Sequence, residues 1–380
     1  MGRDSRSHDA AALLEAQGLD ELIRSLERRD YEVLGPTVHD SAIDWGPIHA
    51  AADLPAGWTA TQAPGSYRIE RRDDARRFAF AAGPSTLKRY FHEAERSVFS
   101  VESNGSPFHV VEKQDAPRRL AFIGVRPCDV AALAILDRVL IHDRFPDPAY
   151  RARRESSFIV AANCTEPGGA CFCDSMGAGP HAASGFDLAL TELDDSTMLV
   201  ECGSARGEEV LREIPHAPAG KDVRERARAA MAAARKRMGR KLNTEGLAQA
   251  LYDNFEHPEW EKVAARCLGC GNCTQACPTC FCITFEDASD IDGSRAERRR
   301  RWDSCFTLSH SYIHGGSVRQ SPKSRHRQWV THKLSAWESQ FGTPGCVGCG
   351  RCIVWCPVGI DITETAAAVA RQTAPVEARS

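Results

Sequence analysis

Over about the first 220 residues of the chain, short apolar runs alternate with segments whose apolar residues recur at helical spacing. Five runs have the length and composition of buried strands, and they lie at residues 78–82, 120–125, 158–162, 186–190 and 198–202. Apolar residues recur at helical spacing at 87–95 and 130–140. Strands that alternate with helices predict an α/β domain over residues 10–220, although the pattern does not give the strand order.

The pattern changes after about residue 220. Residues 222–254 include AAMAAARKRM and few helix breakers, so a linking helix is predicted over 221–256. From residue 258 onward the apolar positions favour short helical pieces, and 362–372 is predicted to be a closing helix. Residues 373–380 are expected to form a frayed tail.

One cysteine pattern occurs twice within this second part. Each copy is a C-x2-C-x2-C-x3-C-P run, and the cysteines are Cys267, Cys270, Cys273 and Cys277, then Cys346, Cys349, Cys352 and Cys356. Bacterial ferredoxins hold [4Fe-4S] clusters with this run. The two-residue intervals let three thiolates converge from one tight turn, and glycines between them permit a close backbone approach. Two such runs predict a pair of clusters that pass electrons to each other.

The fourth cysteine of a run usually ligates the other cluster in two-cluster ferredoxins. The first cluster is therefore assigned to Cys267, Cys270, Cys273 and Cys356. The second cluster is assigned to Cys346, Cys349, Cys352 and Cys277. The insert between the runs is longer than in a compact ferredoxin, which favours a looser, mainly helical two-cluster ferredoxin-type domain over 257–372.

Zinc is the alternative, because structural zinc sites also use C-x2-C pairs closed by four ligands. A zinc-stabilised interaction module would need neither a third cysteine at the same interval nor the proline that follows the fourth. The complete duplicated run therefore favours iron–sulfur clusters.

Composition and charge narrow the function classes. A net charge of −3 argues against wholesale nucleic-acid binding. The arginine-rich segment 295–301 is expected to be a solvated loop, with docking to an acidic partner as the second interpretation. Nucleic-acid binding is the third, because no RNA- or DNA-binding module accompanies the segment. The first residues lack an apolar signal region, and no stretch approaches the length of a membrane span. The 16 cysteines are too irregularly spaced for a secreted disulfide framework, so a reducing cytoplasm is expected.

Several motifs lie in and around the cysteine runs and in the first part of the chain. The motifs in the second part are CLGCGNCTQACPTCFC at 267–282, WDSC at 302–305, HKL at 332–334 and CVGCGRCIVWCPVGIDI at 346–362. Upstream they are YEVLGPTV at 31–38, APGSYR at 63–68, GPSTLKR at 83–89, GVRPCD at 124–129, NC at 163–164, CFC at 171–173 and FDLALTEL at 186–193. Together they resemble the motifs of a known family, the β subunit of sulfhydrogenase, the cytosolic NAD(P)-linked nickel–iron hydrogenase. They are similar as well to those of the A subunit of anaerobic sulfite reductase.

The resemblance implies a non-catalytic electron-transfer subunit of an oxidoreductase complex. Such a subunit relays electrons between a flavin subunit that binds NAD(P) and a hydrogenase or reductase catalytic subunit. A second reading is a catalytic subunit that reduces sulfur or sulfite at an additional cluster in the N-terminal domain. No dinucleotide-binding or P-loop motif is found in the chain itself.

Eight cysteines lie outside the two runs, and four of them are candidates for a third [4Fe-4S] cluster. These are Cys128, Cys164, Cys171 and Cys173, each after a predicted strand or in a glycine-rich loop. Arg126 and the start of the following helix are expected to favour the thiolate at Cys128. Buried thiols without a ligand role are the main alternative, and a zinc site is a lesser one. Of the rest, Cys280, Cys282 and Cys305 are expected to pack beside a cluster, with a redox disulfide or an extra cluster ligand as the alternatives. Cys202 is expected in the core.

Overall fold

The computed structural model describes residues 11–103, 109–112 and 117–371, apart from the side chains of residues 16 and 112. The expected tail at 373–380 lies outside the described residues, as do residues 10 and 372. Within the described ranges, no helix is both long enough and apolar enough to cross a membrane.

Strands and helices alternate through the first half, and short helices dominate the end of the chain. The strands are β1 (Ala11–Glu15), β2 (Glu32–His39), β3 (Ala42–Pro47), β4 (Trp58–Ala63), β5 (Ser66–Arg71), β6 (Glu95–Glu102), β7 (His109–Glu112), β8 (Leu120–Val125), β9 (Phe158–Ala162), β10 (Leu188–Glu192), β11 (Thr197–Cys202), β12 (Ala217–Pro218), β13 (Ile283–Ser289), β14 (Arg295–Trp302), β15 (Tyr312–Ile313) and β16 (Gly316–Ser317). The α-helices are α1 (Ala16–Glu27), α2 (Lys88–Phe91), α3 (Pro127–Leu140), α4 (Pro148–Ser156), α5 (Ala205–Glu213), α6 (Lys221–Arg237), α7 (Leu247–Asp253), α8 (Glu259–Ala264), α9 (Asn272–Gln275), α10 (Pro322–Thr331), α11 (Trp337–Phe341), α12 (Arg351–Val354) and α13 (Ile362–Ala370).

An eight-stranded mixed sheet forms the first half, in the order β12-β1-β11-β10-β9-β8-β2-β3. Its centre is parallel, because β2, β8, β9 and β10 pair in one direction. Every residue of β8 and β9 is buried, as expected for parallel strands covered on both faces. The predicted strands at 120–125, 158–162, 186–190 and 198–202 are confirmed, with small shifts at their ends.

Two of the elements predicted in the first 220 residues differ from the structure. Residues 78–82 are buried but form no strand, because side chains rather than a neighbouring strand bind the backbone of Phe78. Its N–H donates to the Glu192 carboxylate at 2.9 Å, and its carbonyl accepts from Arg126 at 2.9 Å. The helix predicted at 87–95 is the four-residue α2 only, because β6 begins at Glu95.

A second sheet joins the insert to the first half, in the order β13-β14-β6-β7. The expectation of a mainly helical C-terminal part is therefore wrong for residues 283–302, which form a hairpin paired to β6. The arginine-rich segment is β14 and not a loop. Its side chains pair with acidic groups on both sides, such as Arg298 with Asp287 at 2.7 Å.

The helix predicted over 222–254 is broken. It forms α6 and α7, with residues 238–246 between them in extended or turn conformation. A Cβ on Gly239 would lie 2.1 Å from the carbonyl oxygen of Gly169, so the chain here passes directly over the loop at 168–173. The Arg240 N–H donates to the Cys171 carbonyl at 2.9 Å, and its guanidinium binds Asp361 at 2.7 Å. Tertiary contacts thus replace the helical hydrogen bonds that the local composition favours.

The apolar core beneath the second half includes residues from both parts of the chain. Phe172 from the first half packs in one cluster with Trp260, Trp329 and Ile353. All four are almost fully buried. The cysteine runs therefore lie on a core that the first half completes.

Candidate iron–sulfur sites

The two cysteine runs fold into the same local structure. Gly269 and Gly271 have φ of 65° and 76°, and the matching Gly348 and Gly350 have 65° and 77°. These left-handed values favour glycine and turn the chain sharply between the first three cysteines. A short helix then follows each turn, α9 in the first run and α12 in the second. Equal sequence spacing thus produces equal backbone geometry.

The first group of thiols contains the fourth cysteine of the other run. Burial raises the pKa of Cys273 well above its usual value. Neighbouring thiols add to this shift, and they are Cys305, Cys267, Cys356 and Cys270. The fold therefore brings Cys356 to the first run, as the crossed assignment requires.

The second group has the same crossed composition. Burial raises the pKa of Cys352, and the thiols that add to it are Cys346, Cys349, Cys277 and Cys273. Cys277 thus lies with the second run. The interaction of Cys352 with Cys273 also places the two groups side by side, which suits electron transfer between them.

All 16 cysteines of the chain are free thiols in this structure. Among the described residues, no group of three or more His, Cys, Asp or Glu side chains converges closely enough to hold a single metal ion. The groups are thus defined by electrostatic proximity, and their donors are thiols, the kind of ligand that a [4Fe-4S] cluster uses. The individual iron ligands remain a prediction.

The third set of cysteines gathers at one edge of the large sheet. Cys128 is the second residue of α3, directly after β8, and Cys164 follows β9. Burial raises the pKa of Cys173, and the neighbouring thiols Cys171, Cys164 and Cys349 contribute. Cys128 interacts in turn with Cys349 and Cys173. The carboxyl ends of two adjacent parallel strands therefore bring the four thiols together.

This third set lies directly against the second cysteine run. The Phe172 N–H donates to the Gly348 carbonyl at 2.8 Å. A Cβ on Gly350 would lie 2.5 Å from the Ala170 carbonyl oxygen. The glycines of the second run therefore have two effects. They form the tight turn of the run, and they let the loop at 170–172 approach it closely.

Arg126 was expected to favour the thiolate at Cys128, but it binds other groups. Its guanidinium donates to the Phe78 carbonyl and lies 4.2 Å from the centre of the Phe80 ring. Burial raises the pKa of Cys128 well above the usual value, and the cation that opposes the shift is Arg351 from the second run. Arg126 acts on Cys164 instead, where it opposes the effect of burial.

Two buried lysines lie beside Cys277 and Cys280, and the sequence analysis did not single them out. Lys333 Nζ donates to Thr279 Oγ1 at 2.8 Å and to the Gly345 carbonyl at 3.0 Å. Burial disfavours its charge, but nearby thiols outweigh burial and raise the pKa of Lys333. Lys88 Nζ donates to the Cys280 carbonyl at 3.1 Å, and burial lowers its pKa. Lys88 belongs to the motif GPSTLKR and Lys333 to the motif HKL, both quoted above. Membership of these motifs was the sequence signal that could have identified the two lysines.

The remaining cysteines separate into three environments. Cys280 hydrogen-bonds to Cys277, and this bond is the largest cause that lowers the pKa of Cys277. Cys202 is buried at the end of β11, in the core as expected. Cys282 and Cys305 lie near each other at the foot of the β13–β14 hairpin, and His310, which no spacing in the sequence indicated, lies beside them.

The duplicated turns and crossed thiol groups define the class of protein, a ferredoxin-like iron–sulfur protein with two cysteine runs. Residues 266–360 match the 4Fe-4S dicluster domain family. The chain is 33% identical over 340 residues to sulfhydrogenase 2 subunit beta of Pyrococcus furiosus, which covers 87% of this chain and 89% of that protein. The chain therefore belongs to the sulfhydrogenase subunit beta family, and the resemblance seen in the sequence is confirmed. No solved structure matches.

Membership of this family indicates the general function of the chain. The dicluster domain indicates [4Fe-4S] clusters and an electron-transfer protein of the hydrogenase β-subunit type. The name of the relative, a β subunit, further implies that other subunits take part in its assembly.

Proposed function

We propose that the chain is an electron relay with three [4Fe-4S] clusters in a row. The first cluster uses Cys267, Cys270, Cys273 and Cys356, and the second uses Cys346, Cys349, Cys352 and Cys277. The third uses Cys128, Cys164, Cys171 and Cys173. The observation that carries the proposal is the serial proximity of the groups. Cys273 and Cys352 pack against one apolar cluster, and Cys173 and Cys349 belong to a second apolar cluster.

Buried cations lie close to the second cluster in this proposal and would affect its reduction potential. Lys333 and Arg351 both lie within the interior beside its thiols. A thiolate-ligated cluster carries negative charge, and nearby cations stabilise its more reduced form. The charge of Lys333 would therefore raise the potential of the second cluster, whereas the ion pair with Asp129 offsets the charge of Arg351.

The relay has two ends, which we assign to two kinds of partner. A flavin subunit that binds NAD(P) delivers electrons at one end, and a hydrogenase or reductase catalytic subunit receives them at the other. The division of the chain is part of this proposal, with the third cluster in residues 10–220, a linker at 221–256 and two clusters in 257–372. None of the 16 cysteines forms a disulfide, which suits a reducing compartment, and we assign the chain to the cytoplasm.

A catalytic role at the third site is the rival, in which sulfur or sulfite is reduced there directly. The burial of the site favours the relay, because Cys128, Cys171 and Cys173 are each at most 7% exposed. A substrate would have to displace packed protein to reach them. Turnover of sulfite or sulfur by the isolated chain with an artificial electron donor would favour the rival.

Iron counting tests the relay. We expect roughly twelve irons per chain in anaerobically purified protein, and roughly eight would remove the third cluster. The paired substitution Cys128→Ser and Cys171→Ser should lose about four irons and leave the other two clusters magnetically visible after reduction. Cys202→Ser is the matched control, since it removes a buried thiol outside all three groups, and it should keep its full iron content.

A further inference from the structure

The first cysteine run reaches the protein surface, and the second does not. Of the eight cysteines in the two runs, all of which the structure describes, only Cys270 is exposed, whereas Cys349 at the matching position is buried. Gly269 has open surroundings, with its nearest neighbour 3.8 Å from a Cβ built there, but Gly348 is covered by Phe172. A cluster held by the first run is therefore the one that another protein can approach.

The surface around the first run is built from three segments that contact one another. Arg325 Nη2 lies 3.8 Å from a Cβ built on Gly269, and Arg325 Nη1 donates to the Gln320 carbonyl at 3.2 Å. Arg319 Nη1 donates in turn to Ser311 Oγ at 3.2 Å, directly before the β15–β16 hairpin. These contacts join residues 266–270, 311–313 and 318–320 into one surface, which we call the first-run face.

The first-run face carries cations that no acidic group balances. Its three segments contain no Asp or Glu. Within the described part of the chain, no carboxylate lies at ion-pair distance from Arg266, Arg319 or Arg325, and the latter two donate to hydroxyl and carbonyl oxygens. The arginines of β14 differ, since Arg298 for example is paired with Asp287. Docking to an acidic partner, which the sequence suggested for β14, is therefore better suited to the first-run face.

Large apolar side chains are exposed on the same face. Leu268, Tyr312, Ile313 and Val318 are each more than half exposed. Exposed apolar groups that lie together mark interaction sites, and protein–protein interfaces are enriched in aromatic residues and arginine. The complementary partner surface has an apolar centre and an acidic rim.

We propose that the first-run face docks an acidic electron-transfer protein, which exchanges single electrons with the first cluster. Carboxylates of this partner pair with Arg266 and Arg319, and its apolar centre covers Leu268 and Val318. One electron leaves the reduced centre of the partner and enters the oxidised first cluster, so that one centre is oxidised as the other is reduced and no bond forms or breaks. The electron step rests on the proposed relay, whereas the docking step does not.

Docking is tested by titrating the full chain, purified anaerobically, with a plant-type [2Fe-2S] ferredoxin as an acidic probe. We expect binding that weakens as salt is added, because salt screens the exposed charges. Arg266→Glu combined with Arg319→Glu should raise the Kd on the order of 100-fold at low salt, because like charges then face each other. Arg228→Glu reverses an exposed arginine on α6, outside the face, and should change the Kd by less than about twofold.

The single variant Arg319→Glu guards against loss of structure in the paired one. It lies outside both cysteine runs, and we expect it to keep its iron and to raise the Kd about tenfold. Unchanged affinity in Arg319→Glu, or equal binding of the basic protein cytochrome c, would overturn the proposal. Self-association of the chain alone that Arg319→Glu abolishes would overturn it as well, because a second copy would then occupy the face.

Electron exchange is measured separately, by mixing reduced ferredoxin with the oxidised chain and following the ferredoxin spectrum. At low salt the second-order rate constant should fall on the order of 100-fold in the paired variant and stay unchanged in Arg228→Glu. Binding without electron exchange would contradict the relay and leave the docking face in place. Exchange at one rate in all variants would remove the docking face and leave the relay in place.

Discussion

Arg351 and Asp129 face each other in the interior, where the second cysteine run meets the start of α3. Two parallel bonds of 2.8 Å join them, and both side chains are at most 3% exposed. A buried ion pair contributes little net stability when complete, but removing one partner leaves the other charge unpaired in a low-dielectric site. The pair therefore fixes how the two loops dock.

Asp129→Asn should lower the free energy of unfolding by about 3–5 kcal/mol, because Arg351 then stays buried without its counter-charge. Urea unfolding of the anaerobic protein, with iron content recorded alongside, measures the loss. The control is Arg226→Gln, which breaks a pair with Asp194 whose side chains are 50% and 41% exposed. We expect it to cost less than about 1 kcal/mol. Equal losses in the two variants would contradict the prediction.

His326 makes stability depend on pH. It is buried among Trp260, Phe306 and Trp329, and burial lowers its pKa to about 4. Its unfolded pKa is about 6.5, so below pH 6.5 the unfolded chain binds a proton that the folded chain rejects. Stability therefore falls as pH drops from about 6.5 towards 4. Between pH 6.5 and 5 this one group should cost about 2 kcal/mol.

The measurement compares urea midpoints at pH 7 and pH 5. His326→Gln should lose less stability over this range than the unaltered chain, whatever its stability at pH 7. His142→Gln replaces an exposed histidine and should leave the pH dependence as it was. An identical pH profile in all three proteins would falsify the prediction.

At the scale of elements, the two cysteine runs provide a matched pair of glycines. Gly269 and Gly348 both have φ of 65°, so alanine meets the same backbone cost of about 1 kcal/mol at either position. Their surroundings differ, because a Cβ at Gly348 would lie 2.6 Å from the Phe172 carbonyl carbon. At Gly269 the nearest atom is an Arg325 nitrogen at 3.8 Å.

Gly348→Ala should therefore cost at least about 1–3 kcal/mol more than Gly269→Ala, because it forces the loop at 170–173 off the second run. Urea unfolding compares the two, and iron analysis follows the third cluster, which should be lost first in Gly348→Ala. If both variants show the same stability and iron content, the close packing of the loop at 170–173 against the second run does not stabilise the third cluster site.

Some secondary-structure elements could be predicted from the local sequence, and others could not. Strands β8 and β9 were predictable because both faces are buried, so nearly every residue is apolar. The hairpin β13–β14 was not, because its residues are mostly exposed and charged, and only pairing with β6 makes them a sheet. The break between α6 and α7 was equally hidden, because the loop at 168–173 that causes it lies some 70 residues earlier in the chain.

At the scale of the whole molecule, the cluster domain is not self-contained. Its core includes Phe172 and Ala170 from the first half, and Arg240 from the linker binds Asp361. The second run is also covered by the loop that carries Cys171 and Cys173. The two halves therefore share one interior around the second cysteine run.

A fragment of residues 257–380 should consequently fail to hold both of its clusters. We expect it to expose the apolar surface that Phe172 covers and to retain fewer than roughly eight irons, because the second run loses its cover. Iron content and the reduced-state magnetic signal of the fragment measure this. A stable fragment with two clusters would contradict the shared interior and support independent domains.

The sequence by itself determined the chemistry of the clusters. Cysteine spacing is a local property, and two-residue intervals with glycines between them produce the same turn wherever they occur. Tertiary structure alone decided which thiols meet across the chain, which cations accompany them, and that His310 binds Asp303 beside Cys282. Those groupings arise from pairing between distant segments, and no local pattern of residues records which distant segment will fold against it.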